Sequence, residues 1–146
     1  MNSLKQQPGD SGNDDRHFGG IRVLHPVRRR EDWPRMAPEG ERCRRICVLD
    51  TETTGLDADR HQVIEICAAM ALVNETGRVV GIQSIGTGLQ DPGHPLSREI
   101  VKLTGLIDAE LAGKKVAKER LTEFIENCEG VVVFNAGFDR PHAEKL

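Results

Sequence analysis

Apolar residues fall in short runs along the second two-thirds of the chain, and the period of each run predicts an element. Ile46, Cys47, Val48 and Leu49 form a continuous apolar run, so Arg45–Thr51 reads as a first strand. Gln62–Val73 reads as a long second strand. Ile64, Ile66, Ala68, Met70 and Leu72 line one face, while Val63, Cys67, Ala69 and Ala71 leave the other also apolar, as in an interior strand. The turn residues Asn74-Glu75-Thr76-Gly77 join it to a third strand over Arg78–Ile85, giving a hairpin. Gly86, Gly88, Pro92, Gly93 and Pro95 then predict a loop. Ser97 is placed to cap a short helix over Arg98–Leu103. Ala117, Leu121, Phe124, Ile125 and Cys128 recur at helical spacing across Val116–Cys128, a stripe facing a core. Val131–Phe134 is short and β-branched, as a central strand is. A last helix is expected to begin near Asp139, with Pro141 in its first turn.

The order strand, hairpin, helix, strand, helix predicts an α/β sheet. Its first three strands are antiparallel, and a helical crossover brings the fourth in parallel. Residues 1–44 break the pattern. They hold four of the chain's seven prolines, nine basic and seven acidic residues, and few apolar ones. Such a segment buries too little surface to offset its ordering entropy and is expected to be a disordered polar tail. Within it Ile21-Arg22-Val23-Leu24 could dock transiently, and Arg28-Arg29-Arg30 is a basic cluster, read as a solvated charge run. The folded unit is expected at residues 45–146.

Composition narrows the function. The 146 residues include four Phe, one Trp and no Tyr, too few aromatics for a base-stacking sheet or barrel. The formal net charge of -3 gives no broad electrostatic footprint for nucleic acid. No apolar run reaches the roughly 18 residues of a membrane span, and the polar start lacks the apolar core of a secretory leader, so a cytoplasmic protein is expected. Cys43, Cys47, Cys67 and Cys128 lack the spacing of a zinc site and read as reduced structural thiols.

The charge is uneven. Residues 45–146 carry 11 basic and 16 acidic residues, which makes the position of the carboxylates informative. Asp50 and Glu52 stand two apart at the C-terminal end of the first strand, so period two places them on one face. Asp139 follows the fourth strand. If that strand lies beside the first, three carboxylates converge where ligands of α/β sheets gather. Like charges so placed favour a hard divalent cation between them.

The run Asp50-Thr51-Glu52-Thr53-Thr54-Gly55-Leu56 resembles the first motif of the DEDD exonuclease superfamily, whose members include the epsilon proofreading subunit of bacterial DNA polymerase III, RNase T and oligoribonuclease. Asn135-Ala136-Gly137-Phe138-Asp139 resembles its second motif, N-x-x-F-D. Gln62-Val63-Ile64-Glu65-Ile66 resembles the strand between them, and Glu99–Leu106 the nucleotide-contacting segment. The resemblance spans residues 45–146 and implies a ribonuclease H-like exonuclease fold, of the kind that hydrolyses nucleic-acid 3′ ends with two Mg²⁺ or Mn²⁺ ions. It implies Asp50, Glu52 and Asp139 as catalytic metal ligands. Thr53 would approach the terminal 3′-hydroxyl, Leu56 would pack on the last base, and Glu99 and Thr104 would contact the terminal nucleotide.

Plainer roles stand beside these. Leu56 could be a core residue under its loop, and Glu99 a first-turn complement to the helix dipole. Asn135 is expected to tie its turn through its amide and Phe138 to seat the helix, while Glu65 is expected to pair with a basic residue. The third motif, H-x4-D or Y-x3-D, is missing: no His is followed by Asp at that spacing after the second motif, and there is no Tyr. His142, one turn after Asp139, stands where the family has an inward apolar residue. The sequence ends at Glu144-Lys145-Leu146 without a helix stop, so the expectation is a partial domain, truncated before its last strand and helix, lacking its general base and weakly active or inactive. The substrate is expected to be single-stranded DNA, more than RNA, at its 3′ end. A polymerase partner is not legible. The alternative is a catalytically dead nucleic-acid or protein-binding module of the same fold.

Overall fold

The computed structural model describes residues 29–146. The described residues fold as an α/β unit around one four-stranded sheet, whose strands are β1 (Cys43–Thr53), β2 (Val63–Asn74), β3 (Val79–Leu89) and β4 (Gly130–Val133). Their spatial order is β3-β2-β1-β4. β1 runs antiparallel to β2, β2 antiparallel to β3, and β4 parallel to β1. The four helices are α1 (Arg98–Thr104), α2 (Asp108–Leu111), α3 (Lys118–Glu126) and α4 (Ala136–Glu144).

β1 shows the alternation that organises the molecule. Cys47, Leu49, Thr51 and Thr53 are buried, while Val48 and Asp50 between them are exposed. The buried face joins Val63, Ile66, Ala68 and Val116, and Leu121, Phe124, Ile125 and Val133 pack against that cluster. Ala143 and Leu146 of the last segment reach the same cluster, so α3 and α4 both cover this face.

β1 starts two residues earlier and ends two later than expected, β2 is shifted by one, and the larger differences have identifiable causes. β3 continues through Gly86 and Gly88 to Leu89. A Cβ at Gly88 would sit 3.3 Å from the Val116 side chain, so this glycine admits a close packing partner within a strand. α3 begins two residues late because Val116 stays in the connection, its N–H donating to Gln90 Oε1 at 3.1 Å and its side chain buried. α4 begins at Ala136, three residues before Asp139, because the Asn135 carbonyl accepts from both Phe138 N and Asp139 N. Pro141 therefore falls inside the helix, beyond its first turn. The fourth strand is one residue earlier than expected and lies at the edge of the described sheet, not centrally, with Val131 and Val132 exposed and Phe134 fully exposed beyond it.

The disordered reading of residues 1–28, including Ile21–Leu24 and Arg28, lies outside the described residues. Residues 29–42 of the same expected tail form a 3-10 turn at Arg30–Asp32 and a strap along β3, where the Pro34 carbonyl accepts from Ile82 N at 2.8 Å. α1 is capped as expected: Ser97 Oγ accepts from Ile100 N at 3.3 Å, and Gly105, at φ 77°, closes the other end.

Candidate active site

β1 carries the first motif through the end of its pairing with β2. Asp50 pairs with Cys67 and Glu52 with Glu65, and the register then slips between Glu52 and Thr53. Such a slip re-aims side chains at a strand end. Asp50 and Glu52 share one face, as period two requires. Glu65 stands directly across from Glu52 and has no basic partner among the described residues, contrary to the expected ion pair. Burial, then the nearby charges of Asp50, Glu65 and Asp139, raise the Glu52 carboxyl above its ordinary value.

Asp139 approaches from the other side. It is 3 % exposed in the first turn of α4. Its Oδ1 accepts from Thr51 Oγ1 at 2.8 Å, and its Oδ2 from the Asn135 backbone N–H at 3.2 Å. Thr51 lies on the core face of β1, so Asp139 sits beneath the strand whose opposite face presents Asp50. Among the described residues no three His, Cys, Asp or Glu side chains already stand as a ligand set around one ion position, so the three carboxylates are neighbours in charge and not a preformed cage.

Thr53 follows Glu52 directly, and the other candidates lie in the loop after β1 and in α1. Thr53 is buried, and its hydroxyl turns into its own loop, donating to the Gly55 carbonyl at 2.7 Å. Leu56 is 85 % exposed, which removes the core reading. Glu99 is exposed in the first turn of α1, where its own N–H and the Ser97 hydroxyl hold its carboxyl below the ordinary range. Thr104 Oγ1 donates to the Ile100 carbonyl at 2.9 Å and accepts from Leu106 N at 3.2 Å. No hydrogen bond or ion pair among the described residues joins Leu56, Glu99 or Thr104 to the carboxylates.

Asn135 ties its turn through its backbone, since its amide makes no cap bond. His142 is 3 % exposed, its Nδ1 facing the Phe138 carbonyl at 2.8 Å and its ring 4.5 Å from that of Phe138. Thr51 is the residue sequence reading missed, and it could have been sought as the inward residue between Asp50 and Glu52; Glu65 is singled out in the sequence but expected to face a basic residue, where it faces Glu52. The cysteines are unpaired, and burial first, with Cys128 beside it, pushes the Cys47 thiol up to about 11.

A mixed sheet of order β3-β2-β1-β4 with carboxylates at the C-terminal end of β1 makes the described residues a mixed α/β domain with an acidic site. Residues 47–145 match the family described as Exonuclease, the RNase T group, and the chain belongs to that family. Among curated proteins it is similar to the PolC-type DNA polymerase III of Streptococcus agalactiae, 38 % identical over 94 residues, covering 63 % of this chain and 6 % of that one. The PolC-type polymerase of Streptococcus suis is 36 % identical over 94 residues, with the same coverage of 63 % and 6 %. The chain thus spans a small fraction of these relatives. Among solved structures, exonuclease X in complex with 5′ overhanging duplex DNA has a TM-score of 0.50 at 26 % identity, over 66 % of this chain and 52 % of that one. Exonuclease I of E. coli with an oligonucleotide shares the fold at a TM-score of 0.54 and 16 % identity, over 68 % and 23 % of the two chains. No helix among the described residues is long and apolar enough to cross a membrane.

Proposed function

We propose that this domain hydrolyses the 3′ ends of single-stranded nucleic acid, DNA in preference to RNA, with divalent metal held by Asp50, Glu52 and Asp139. The observation that carries the reading is the crowding of Glu52 by Asp50, Glu65 and Asp139, which raises its carboxyl and leaves negative charge that a cation would balance. All the donors are hard carboxylate oxygens, the chemistry that Mg²⁺ and Mn²⁺ select. When bound, such ions supply an activated water and stabilise the leaving 3′-oxygen.

The chain's own residues do the positioning. Leu56, standing clear of its loop, packs against the terminal base. The Thr53 turn fixes the backbone beside the terminal 3′-hydroxyl. Glu99 remains an ionised acceptor for a sugar hydroxyl, and Thr104 shapes the end of the same segment. DNA preference rests on the relatives, a polymerase and an exonuclease seen with DNA. The four free thiols suit a cytosolic setting. Among the described residues no imidazole is placed as a base on water: His61, His94 and His142 face Thr54, the Pro95 carbonyl and the Phe138 carbonyl. We therefore expect slow turnover from this chain alone.

The test is release of nucleotides from a 3′-labelled single-stranded oligonucleotide with Mn²⁺ or Mg²⁺. Slow, metal-dependent release of mononucleotides, lost in Asp50→Ala, is expected. Turnover as fast as that of a complete exonuclease would overturn the slow-turnover reading. An oligonucleotide that binds but keeps its label at every metal concentration would favour a binding module instead.

A further inference from the structure

The strap before β1 does more than cover a sheet edge. Its Pro34 carbonyl accepts from Ile82 N at 2.8 Å, and Gly81 permits the approach, since a Cβ there would stand 2.7 Å from that oxygen. Blunting an edge strand requires backbone contact only. Here the strap also walls a hollow of about 400 Å³ against β3, with Arg30, Trp33 and Arg35 on one side and Ile82 and Ile85 on the other. Trp33 is half-buried, and Arg30 and Arg35 are exposed. Glu31, the acidic group of the wall, pairs with Arg29 at 3.4 Å, while neither Arg30 nor Arg35 is in an ion pair among the described residues.

We propose that this hollow binds a nucleotide of the single strand upstream of the 3′ end, its base stacked on Trp33 and its phosphates at Arg30 and Arg35. The inference rests on the exonuclease reading and extends it. An aromatic ring flanked by guanidinium groups is the pairing that holds single-stranded nucleic acid without reading its sequence, and one ring suffices for one base. The ladder supplies the path. Ile85 pairs with Ala69, which pairs with Val48, and Ile82 pairs with Ala71, which pairs with Ile46. The floor of the hollow therefore shares a sheet face with Val48 and Asp50. From Ser84 to Leu89, opposite Glu65, is about 17 Å along the strand, and β3 to β1 is about 10 Å across. The hollow then lies roughly 20 Å from Glu52, the reach of about six stacked nucleotides at about 3.4 Å each.

Trp33 is the chain's one tryptophan and there is no tyrosine, so its emission reports this hollow directly. The experiment titrates the full chain in EDTA with oligothymidylates of three and ten residues. The ten-residue strand quenches Trp33 and binds more tightly than the three-residue strand. Arg30→Ala with Arg35→Ala weakens it about tenfold and lowers the salt slope by about 1.4, the share of two phosphates. It leaves the three-residue affinity unchanged, and Asp50→Ala leaves the quenching intact. Unchanged Trp33 emission while a 5′-labelled ten-residue strand is bound by anisotropy would overturn the proposal, as would equal affinity for the two lengths. Failure of the exonuclease reading shows itself separately, as a 3′ label that is never released.

Discussion

The Thr51 hydroxyl donates to Asp139 Oδ1 at 2.8 Å, joining the first motif to the second across 88 positions of sequence. The bond is buried, and it holds a carboxylate that otherwise has one backbone donor. Thr51→Val keeps the shape and deletes the donor. A buried acceptor left short of a partner costs about 1–3 kcal/mol. Urea unfolding should show that loss, and Thr51→Ser should recover most of it. A valine variant as stable as the parent would mean that Asp139 is satisfied some other way.

Much of this arrangement was legible before the structure. The sheet order follows from the period of the apolar runs, because a period-two strand, a short turn and a helix-length crossover allow few topologies. Asp50 and Glu52 share a face for the same reason. What the pattern could not show was the side of β1 from which Asp139 arrives. That depends on α4 starting at Ala136 and packing on the core face, a tertiary result that local spacing does not contain. The glycines of β3 misled for a related reason: Gly88 breaks a strand in isolation, yet Val116 fills the space where its side chain would be. Glu65 misled because a lone acidic residue in an apolar strand suggests an ion pair. Only the register places it opposite another carboxylate.

Glu52 sets a pH dependence of definite sign. Its folded pKa is raised above the ordinary value of 4.5, by burial first and then by Asp50, Glu65 and Asp139. The folded state therefore holds a proton that the unfolded chain releases, and stability falls as pH rises from 4.5 through the folded value. Glu52→Gln removes that loss. In EDTA the variant should melt higher than the parent at neutral pH, with the advantage gone well below the ordinary carboxyl value. Mn²⁺ should raise the melting temperature of the parent and do less for the variant. An equal Mn²⁺ shift in both proteins would remove Glu52 from the metal site.

Asp91 acts in the opposite direction. The N–H groups of Gly113 and Gly93 donate to its two oxygens at 2.7 and 2.8 Å, holding its carboxyl below the ordinary 3.8. The stability it contributes is present above 3.8 and is lost as pH falls through the lower folded value. Asp91→Asn offers one acceptor where two are used. Amide exchange at Gly93 and Gly113 should quicken in the variant at neutral pH, and the parent should approach the variant's rates, corrected for intrinsic exchange, only in strong acid. Unchanged protection would show that the Asp91 N–H to Lys114 carbonyl bond at 2.9 Å holds the loops by itself.

Gly81 decides whether the strap stays on the edge of β3. Its φ lies outside the left-handed region, so what it supplies is space. A Cβ would meet the Pro34 carbonyl at 2.7 Å and the Leu72 side chain at 3.2 Å. Leu72 can give way by a rotamer change, but the carbonyl belongs to backbone held by the Ile82 N–H. Gly81→Ala should therefore lift the strap and leave the sheet in place, at a cost of about 1–3 kcal/mol. Exchange at the Ile82 amide should rise, and Trp33 emission should move to the red as its ring gains water. The core cluster around Leu49 and Ile66 does not touch this position, so far-UV dichroism should be unchanged. A variant with parent-like Ile82 protection would show that the sheet edge, and not the strap, moves to accommodate the methyl group.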